Sequence, residues 1–204
     1  MRCRLFAAFV GAVMALACAS HAAEPGLRVS AAISLKNALQ EIGKAYEMET
    51  GGHVELNFGS SGQLMAQIRE GAAIDLFISA AQKQVDDLAK ADLIEPASRK
   101  VVAENSLVLI VSADQKDLVK SFVDLTNQSV KRIAIGEPRT VPAGDYAMQV
   151  MRFLKIDAAV KDRLVFGSNV RQVLDYVARG EVEAGIVYKT DADQAGKDVR
   201  VVAT

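Results

Sequence analysis

Four phrases of small, neutral residues fall where an apolar run gives way to helical periodicity. They are Ser34-Leu35, Ser60-Ser61-Gly62, Val141-Pro142-Ala143-Gly144 and Ser168-Asn169-Val170. A helix start leaves backbone N–H groups unpaired and carries a partial positive potential. Together these features hold an anion without any charged side chain, and a serine placed there can both cap the helix and donate to a ligand. Taken singly, each start is explained by ordinary capping. Tyr188 closes the apolar run Gly185-Ile186-Val187-Tyr188, where its ring either packs at a sheet edge or turns its phenol into a cleft as a donor.

Residues for catalysis are scarce. Beyond residue 22 the chain has one histidine, His53, at a predicted turn, and it reads as a surface residue. Asp75 stands in the apolar run Ile74-Asp75-Leu76-Phe77, where it either caps a neighbouring loop or serves as a base without a histidine partner. A nucleophilic serine at 34 or 61 would need such a base close by, and the sequence offers none. Gly59-Ser60-Ser61-Gly62 lacks the spaced glycines and following lysine of a nucleotide phosphate loop. No set of His, Cys, Asp and Glu shows metal-ligand spacing. These absences argue against an enzyme and against a bound cofactor.

The elements that must position these residues alternate. Leu27 to Ile33 reads as a strand, followed by a helix through Leu35, Leu39, Ile42 and Tyr46 that stops at Thr50-Gly51-Gly52. Val54 to Phe58 is the next strand, then a helix through Leu64 and Ile68, a strand at Ile74 to Ile78, and a helix at Gln82 to Ala91. The second half continues with strands at Leu107 to Val111, Arg132 to Ile135, Leu164 to Phe166, Gly185 to Tyr188 and Val199 to Ala203. Helices are predicted from Pro142 through Leu154 and over Val170 to Ala178. This order predicts an α/β fold of two lobes, each a mainly parallel sheet flanked by helices, with a ligand cleft outside the carboxyl ends of the strands.

The 204 residues carry a formal charge of −1, with no basic patch to suggest nucleic acid. Residues 1–22 read as a secretory signal peptide: Arg2 and Arg4, the apolar run Leu5 to Ala17, then Ser20-His21-Ala22 with cleavage after Ala22. Cys18 offers a lipoprotein cut as the minor alternative. Cleavage after Ala22 removes both cysteines, Cys3 and Cys18, and takes the charge to −3. The expected location is the periplasm.

An ordered series of phrases resembles the periplasmic molybdate-binding proteins, the substrate-capturing subunits of molybdate ABC transporters. The series is Ala31-Ala32-Ile33-Ser34-Leu35 with Asn37-Ala38-Leu39, then Phe58-Gly59-Ser60-Ser61-Gly62, then Gly71-Ala72-Ala73-Ile74-Asp75-Leu76-Phe77-Ile78-Ser79-Ala80. It continues with Asn105-Ser106-Leu107-Val108, Gly136-Glu137-Pro138, Val141-Pro142-Ala143-Gly144 with Tyr146-Ala147, Asn169-Val170-Arg171 and Gly185-Ile186-Val187-Tyr188. The resemblance runs from about residue 27 to the last residue. It implies a two-lobed periplasmic binding protein fold that binds molybdate or tungstate and delivers it, as a monomer, to a membrane permease. Ser34 and Ser61 would bind the oxyanion through hydroxyls and amides, Ala143 and Val170 through backbone N–H groups, and Tyr188 through its phenol. Other tetrahedral oxyanions such as sulfate or phosphate are the alternative ligands, and a truncated product without transport function is the alternative to a transport subunit.

By the same resemblance, residues 23–105 and 190–204 form the first lobe and 106–189 the second, with crossings near Glu104-Asn105 and Thr190-Asp191. Family members continue beyond the position matching Thr204. The resemblance therefore implies that the C-terminal part of the first lobe is missing, leaving apolar surface uncovered on the Val29–Ile33 and Val54–Phe58 side.

Overall fold

The computed structural model describes residues 26–115 and 117–204. The expected signal peptide, both cysteines and the cleavage site lie outside the described residues. Among those described, no helix is long and apolar enough to cross a membrane.

The first lobe is built on a three-stranded, wholly parallel sheet in the order β2-β1-β3. Its strands are β1 (Leu27–Ala32), β2 (Val54–Gly59) and β3 (Leu76–Ile78). A short 3-10 turn, Ile33–Leu35, leads from β1 into α1 (Lys36–Thr50). Gly51 ends α1 in the left-handed conformation, φ 72°, which lets its N–H return to the Glu47 carbonyl. Helices α2 (Ser61–Arg69) and α3 (Gln82–Ala89) follow β2 and β3.

The third strand is shorter than Ile74 to Ile78, and Asp75, just ahead of it, is tied to β1, its N–H donating to the Arg28 carbonyl at 2.9 Å. Its carboxylate accepts the Arg28 backbone N–H at 2.8 Å and the Arg28 guanidinium at 3.0 and 3.1 Å. These bonds hold the carboxyl below its ordinary range. Asp75 is thus a tether at the mouth of the sheet rather than a base. His53 is exposed, as expected, with Nδ1 2.7 Å from Glu47 Oε1.

The second lobe carries a five-stranded sheet in the order β6-β5-β7-β4-β8. The strands are β4 (Leu107–Ser112), β5 (Ile133–Gly136), β6 (Leu164–Gly167), β7 (Ala184–Tyr188) and β8 (Val199–Ala203). The helices are α4 (Pro142–Phe153), α5 (Asp157–Val160), α6 (Val170–Ala178) and α7 (Lys189–Ala195). The sheet is mixed: β5 pairs in parallel with β6 and β7, while β4 runs antiparallel to both β7 and β8. The expectation of a mainly parallel sheet fails at β4. Leu107-Val108-Leu109-Ile110-Val111 is apolar on both faces and reads the same in either direction.

The placement of 190–204 is also corrected. Neither α7 nor β8 returns to the first lobe; β8 pairs with β4, and α7 packs beside α6 against the same sheet. Among the described residues the backbone passes between lobes once, ahead of β4. Asn105 Nδ2 donates to Thr190 Oγ1 there at 2.8 Å, which is a contact at the junction and not a second crossing.

Both large apolar clusters belong to the second lobe, one on each face of its sheet. Val108, Ile110, Ala134 and Val187 meet Val173 and Val177 of α6 on one face; Leu109, Ile133, Ile135 and Ile186 meet Ala147 and Met151 of α4 on the other. The buried residues of α6, Val170, Val173, Leu174 and Val177, repeat at helical spacing, so one stripe supplies the whole contact. The first lobe buries fewer large side chains, chiefly Val29, Leu64 and Leu88. Exposed apolar side chains occur on both sides of its sheet: Ile42, Tyr46 and Met48 on α1, which packs over β2, and an open groove of about 1090 Å³ along β3, lined by Ile74, Leu76, Ile78, Leu93, Val101 and Val102. Both β2 and β3 are edge strands.

Candidate functional site

The groove along β3 is open and mostly apolar. The residues singled out from the sequence lie elsewhere. Ser34, Ser61, Ala143, Val170 and Tyr188 all line one small cavity between the lobes, of about 10 Å³, together with Ala32, Ile33, Ser60, Ala80, Val141 and Pro142. Tyr188 is the only ionisable side chain among these eleven.

Each wall has its own local cause. Ser34 sits half-buried in the 3-10 turn after β1, and its hydroxyl does not cap that turn, whose leading residue is Ala32. At the second wall two serines divide the work. Ser60 caps α2, its Oγ accepting the Gln63 N–H at 3.4 Å. Ser61, the first residue of α2, is almost wholly buried, and its Oγ accepts the Ala80 N–H at 2.9 Å. The acceptor side of Ser61 is thereby occupied, while its own proton is free to donate.

The third wall is the start of α4. Pro142 supplies the fixed φ of a first helical position, and Ala143 follows as the second, so its N–H has no acceptor within the helix. Gly144 is required by close approach: a side-chain carbon there would enter the van der Waals shell of the Gly136 carbonyl oxygen. The absence of that carbon lets the helix start abut the end of β5. The fourth wall is the start of α6, capped by Asn169, whose Oδ1 accepts the Gln172 N–H at 3.0 Å. Val170, first in that helix, is buried and lines the cavity, and a first-turn N–H has no acceptor within the helix.

Tyr188 closes the cavity from the end of β7. It is buried, and its Oη donates to the Ala80 carbonyl across the cleft at 3.4 Å. Burial pushes the phenol well above its ordinary range, reinforced by Tyr146 and Asp191. It therefore stays protonated and serves as a donor.

The lobes touch directly around this cavity. Gly62 N–H donates to the Thr140 carbonyl at 2.9 Å, and a side-chain carbon on Gly62 would lie 2.7 Å from the Thr140 Cα and O. On the far side, Arg171 reaches Asn37 of α1 at 3.1 Å and Asp191 of α7 at 2.6 Å. The sequence had marked Thr190-Asp191 only as a crossing. Nothing local signals that Asp191 is wholly buried, although an acidic residue three places after Tyr188, at a helix start, has the form of a reciprocal cap. Ala80 was likewise not singled out, yet its N–H and carbonyl meet Ser61 and Tyr188.

The arrangement is an uncharged set of hydroxyl and amide groups drawn from three helix starts, a 3-10 turn and one phenol. Among the described residues no group of His, Cys, Asp or Glu could hold a metal ion.

Residues 27–204 match a family described as bacterial extracellular solute-binding protein. The Bacillus subtilis protein YvgL is 43% identical over 182 residues, 86% of this chain and 67% of its own length. The molybdate-binding protein ModA of Escherichia coli is 39% identical over 204 residues, covering 96% of this chain and 78% of that one. Among solved structures, the periplasmic molybdate-binding protein of Azotobacter vinelandii superposes with a TM-score of 0.72 at 28% identity, over 79% of this chain and 71% of the other.

Proposed function

The chain belongs to the bacterial extracellular solute-binding proteins, and on that premise we propose that it binds molybdate, with tungstate as an equivalent ligand, between its lobes and hands it to an ABC permease. The family is one of binders, and the chain is not an enzyme. The observation that carries the proposal is the single cavity lined by Ser34, Ser61, Ala143, Val170 and Tyr188. The names of the Escherichia coli and Azotobacter vinelandii relatives support the choice of ion.

A lining rich in donors and without a carboxylate favours a fully deprotonated anion. Phosphate near neutral pH keeps a proton that needs an acceptor, and no carboxylate lines the cavity. Donors fixed on the backbone and on packed side chains need no reorganisation when charge arrives, and their strength is greatest where water is excluded. Sulfate has the right charge but is smaller, so it meets fewer donors at once. At about 10 Å³ the cavity holds little more than a water molecule. Entry of a tetrahedral oxyanion therefore requires the lobes to part and settle again around it, by a hinge ahead of β4.

The ion would be captured in the periplasm, by a monomer exported through cleavage after Ala22, and the closed form would be what the permease reads. Titration calorimetry of residues 23–204 with molybdate, tungstate, sulfate and phosphate tests the ligand. Molybdate and tungstate are expected to bind far more tightly than the other two, and phosphate binding as tight as molybdate would overturn the assignment. Intact mass of the exported chain tests the location. A chain beginning at Ala23 is expected, and a lipid on Cys18 would refute the free periplasmic form.

A further inference from the structure

Arg171 does not line the anion cavity, yet its guanidinium bonds the first turns of two helices, α1 and α7, that each begin within two residues of a lining residue. It directly follows Val170 in α6. Its Nε donates to Asp191 Oδ1 at 2.6 Å, and Asp191 lies in the first turn of α7, three residues after Tyr188. Its Nη2 donates to Asn37 Oδ1 at 3.1 Å, and Asn37 lies in the first turn of α1, three residues after Ser34. We propose that Arg171 is a positioning residue, a latch that holds the closed arrangement of the lobes by joining Asn37 of the first lobe to the Arg171–Asp191 pair of the second. The consequence for the anion rests on the binding function proposed above.

The two arms of the latch differ in kind. Arg171 and Asp191 sit in the same lobe, so their pair survives when the lobes part. Asp191 is fully buried and its Oδ2 has no hydrogen-bond partner among the described residues. Burial pushes its carboxyl up while the Arg171 guanidinium pulls the other way. A buried carboxylate with one satisfied oxygen fixes the guanidinium facing it, because losing that partner would leave the charge unpaired. The Asn37 arm spans the cleft and exists only when the lobes are closed. A contact made in one of two states shifts the balance between them by its own free energy. Planar arginine presents donors to both partners at once, whereas a single lysine ammonium does not match that fork.

Asn37→Ala is the clean test, since Asn37 is exposed and its loss strands no buried charge. Arg171→Lys keeps a cation beside Asp191 and sacrifices the reach to Asn37. Residues 23–204 contain no cysteine, so spin labels on introduced cysteines at the exposed positions Glu49 of α1 and Arg152 of α4 report the distance between lobes. Both latch variants should move the distance distribution toward longer separations. Both should also raise the molybdate dissociation rate about tenfold, the effect of one hydrogen bond to a charged group, with little change in the melting temperature of the anion-free protein. Distances and dissociation rates equal to wild type would overturn the latch, as would a fall in melting temperature large enough to explain the whole effect. If the wild-type chain binds none of the four oxyanions, the proposed function fails, and the distance distributions alone decide the latch.

Discussion

The Ser61 hydroxyl accepts the backbone N–H of Ala80 at 2.9 Å, so a residue facing the cavity also secures the loop that follows β3. Ser34 has no such second duty, since it caps no helix. The two serines should therefore respond differently to the same change. Ser34→Ala and Ser61→Ala are each expected to weaken molybdate binding about ten- to a hundredfold, the loss of one charge-assisted hydrogen bond. Only Ser61→Ala should also destabilise the anion-free protein, by about 1–3 kcal/mol, because the Ala80 N–H loses its acceptor. Paired calorimetry and thermal melts check both halves; equal melting temperatures for the two variants would contradict the second duty of Ser61.

Gly62→Ala should hold the lobes apart. The added carbon would meet the Thr140 backbone at 2.7 Å, and a backbone cannot turn aside as a side chain can. Within its own lobe the new methyl sits in a helix, where alanine is favoured over glycine. The expected outcome is an unchanged or raised melting temperature with a larger radius of gyration by small-angle scattering and weakened anion binding. A variant that closes and binds normally would show that the contact between Gly62 and Thr140 is not needed.

Tyr188→Phe keeps the packed ring and removes one donor, so about a tenfold loss of affinity is expected with little loss of fold. The pH dependence has a definite sign. Burial raises the phenol in the folded chain above the value of about 10 that it has when unfolded. Affinity should thus show no titration of this group up to about pH 10. Stability should decline above that pH, where the unfolded chain gives up a proton that the folded chain keeps. Chemical denaturation of wild type and Tyr188→Phe between pH 8 and pH 11 checks this, and the phenylalanine variant should lose less stability over the interval.

Hydrogen exchange should divide the molecule. Both large apolar clusters lie in the second lobe, while the first has a three-stranded sheet bordered by an open groove. Amides of β1 to β3 are expected to exchange faster than those of β4, β5 and β7. Uniform protection across the two sheets would refute a weaker first lobe.

Most of the elements were legible because their signals are local. The strands at Val54, Leu107, Leu164, Gly185 and Val199 begin within a residue of where apolar runs and turn residues place them. The walls of the cavity were legible for the same reason: small residues at helix starts follow a grammar of a few neighbouring positions. What escaped was long-range. The direction of β4 depends on partners about 80 to 90 residues away, at Val187 and Arg200, and its own sequence is indifferent to it. The Arg171–Asn37 contact spans 134 positions, and neither residue carries a mark of it. Asp75 was conspicuous as a carboxylate in an apolar run, but the sequence left open a loop cap or a base, because its partner, Arg28, lies on another strand.

The close approach of Gly144 to Gly136 bears on how such a site could drift over generations. The amides of Ala143 and Val170 belong to the main chain, so exchanging those side chains leaves the donors in place. Their positions depend instead on a helix start pressed against a strand end, where even a methyl group is excluded. The hydroxyls of Ser34, Ser61 and Tyr188 are each one substitution from being lost. Inheritance can therefore retune which anion is preferred through three side chains, while the amide donors are lost only by changes, as at Gly144, that move a helix start itself.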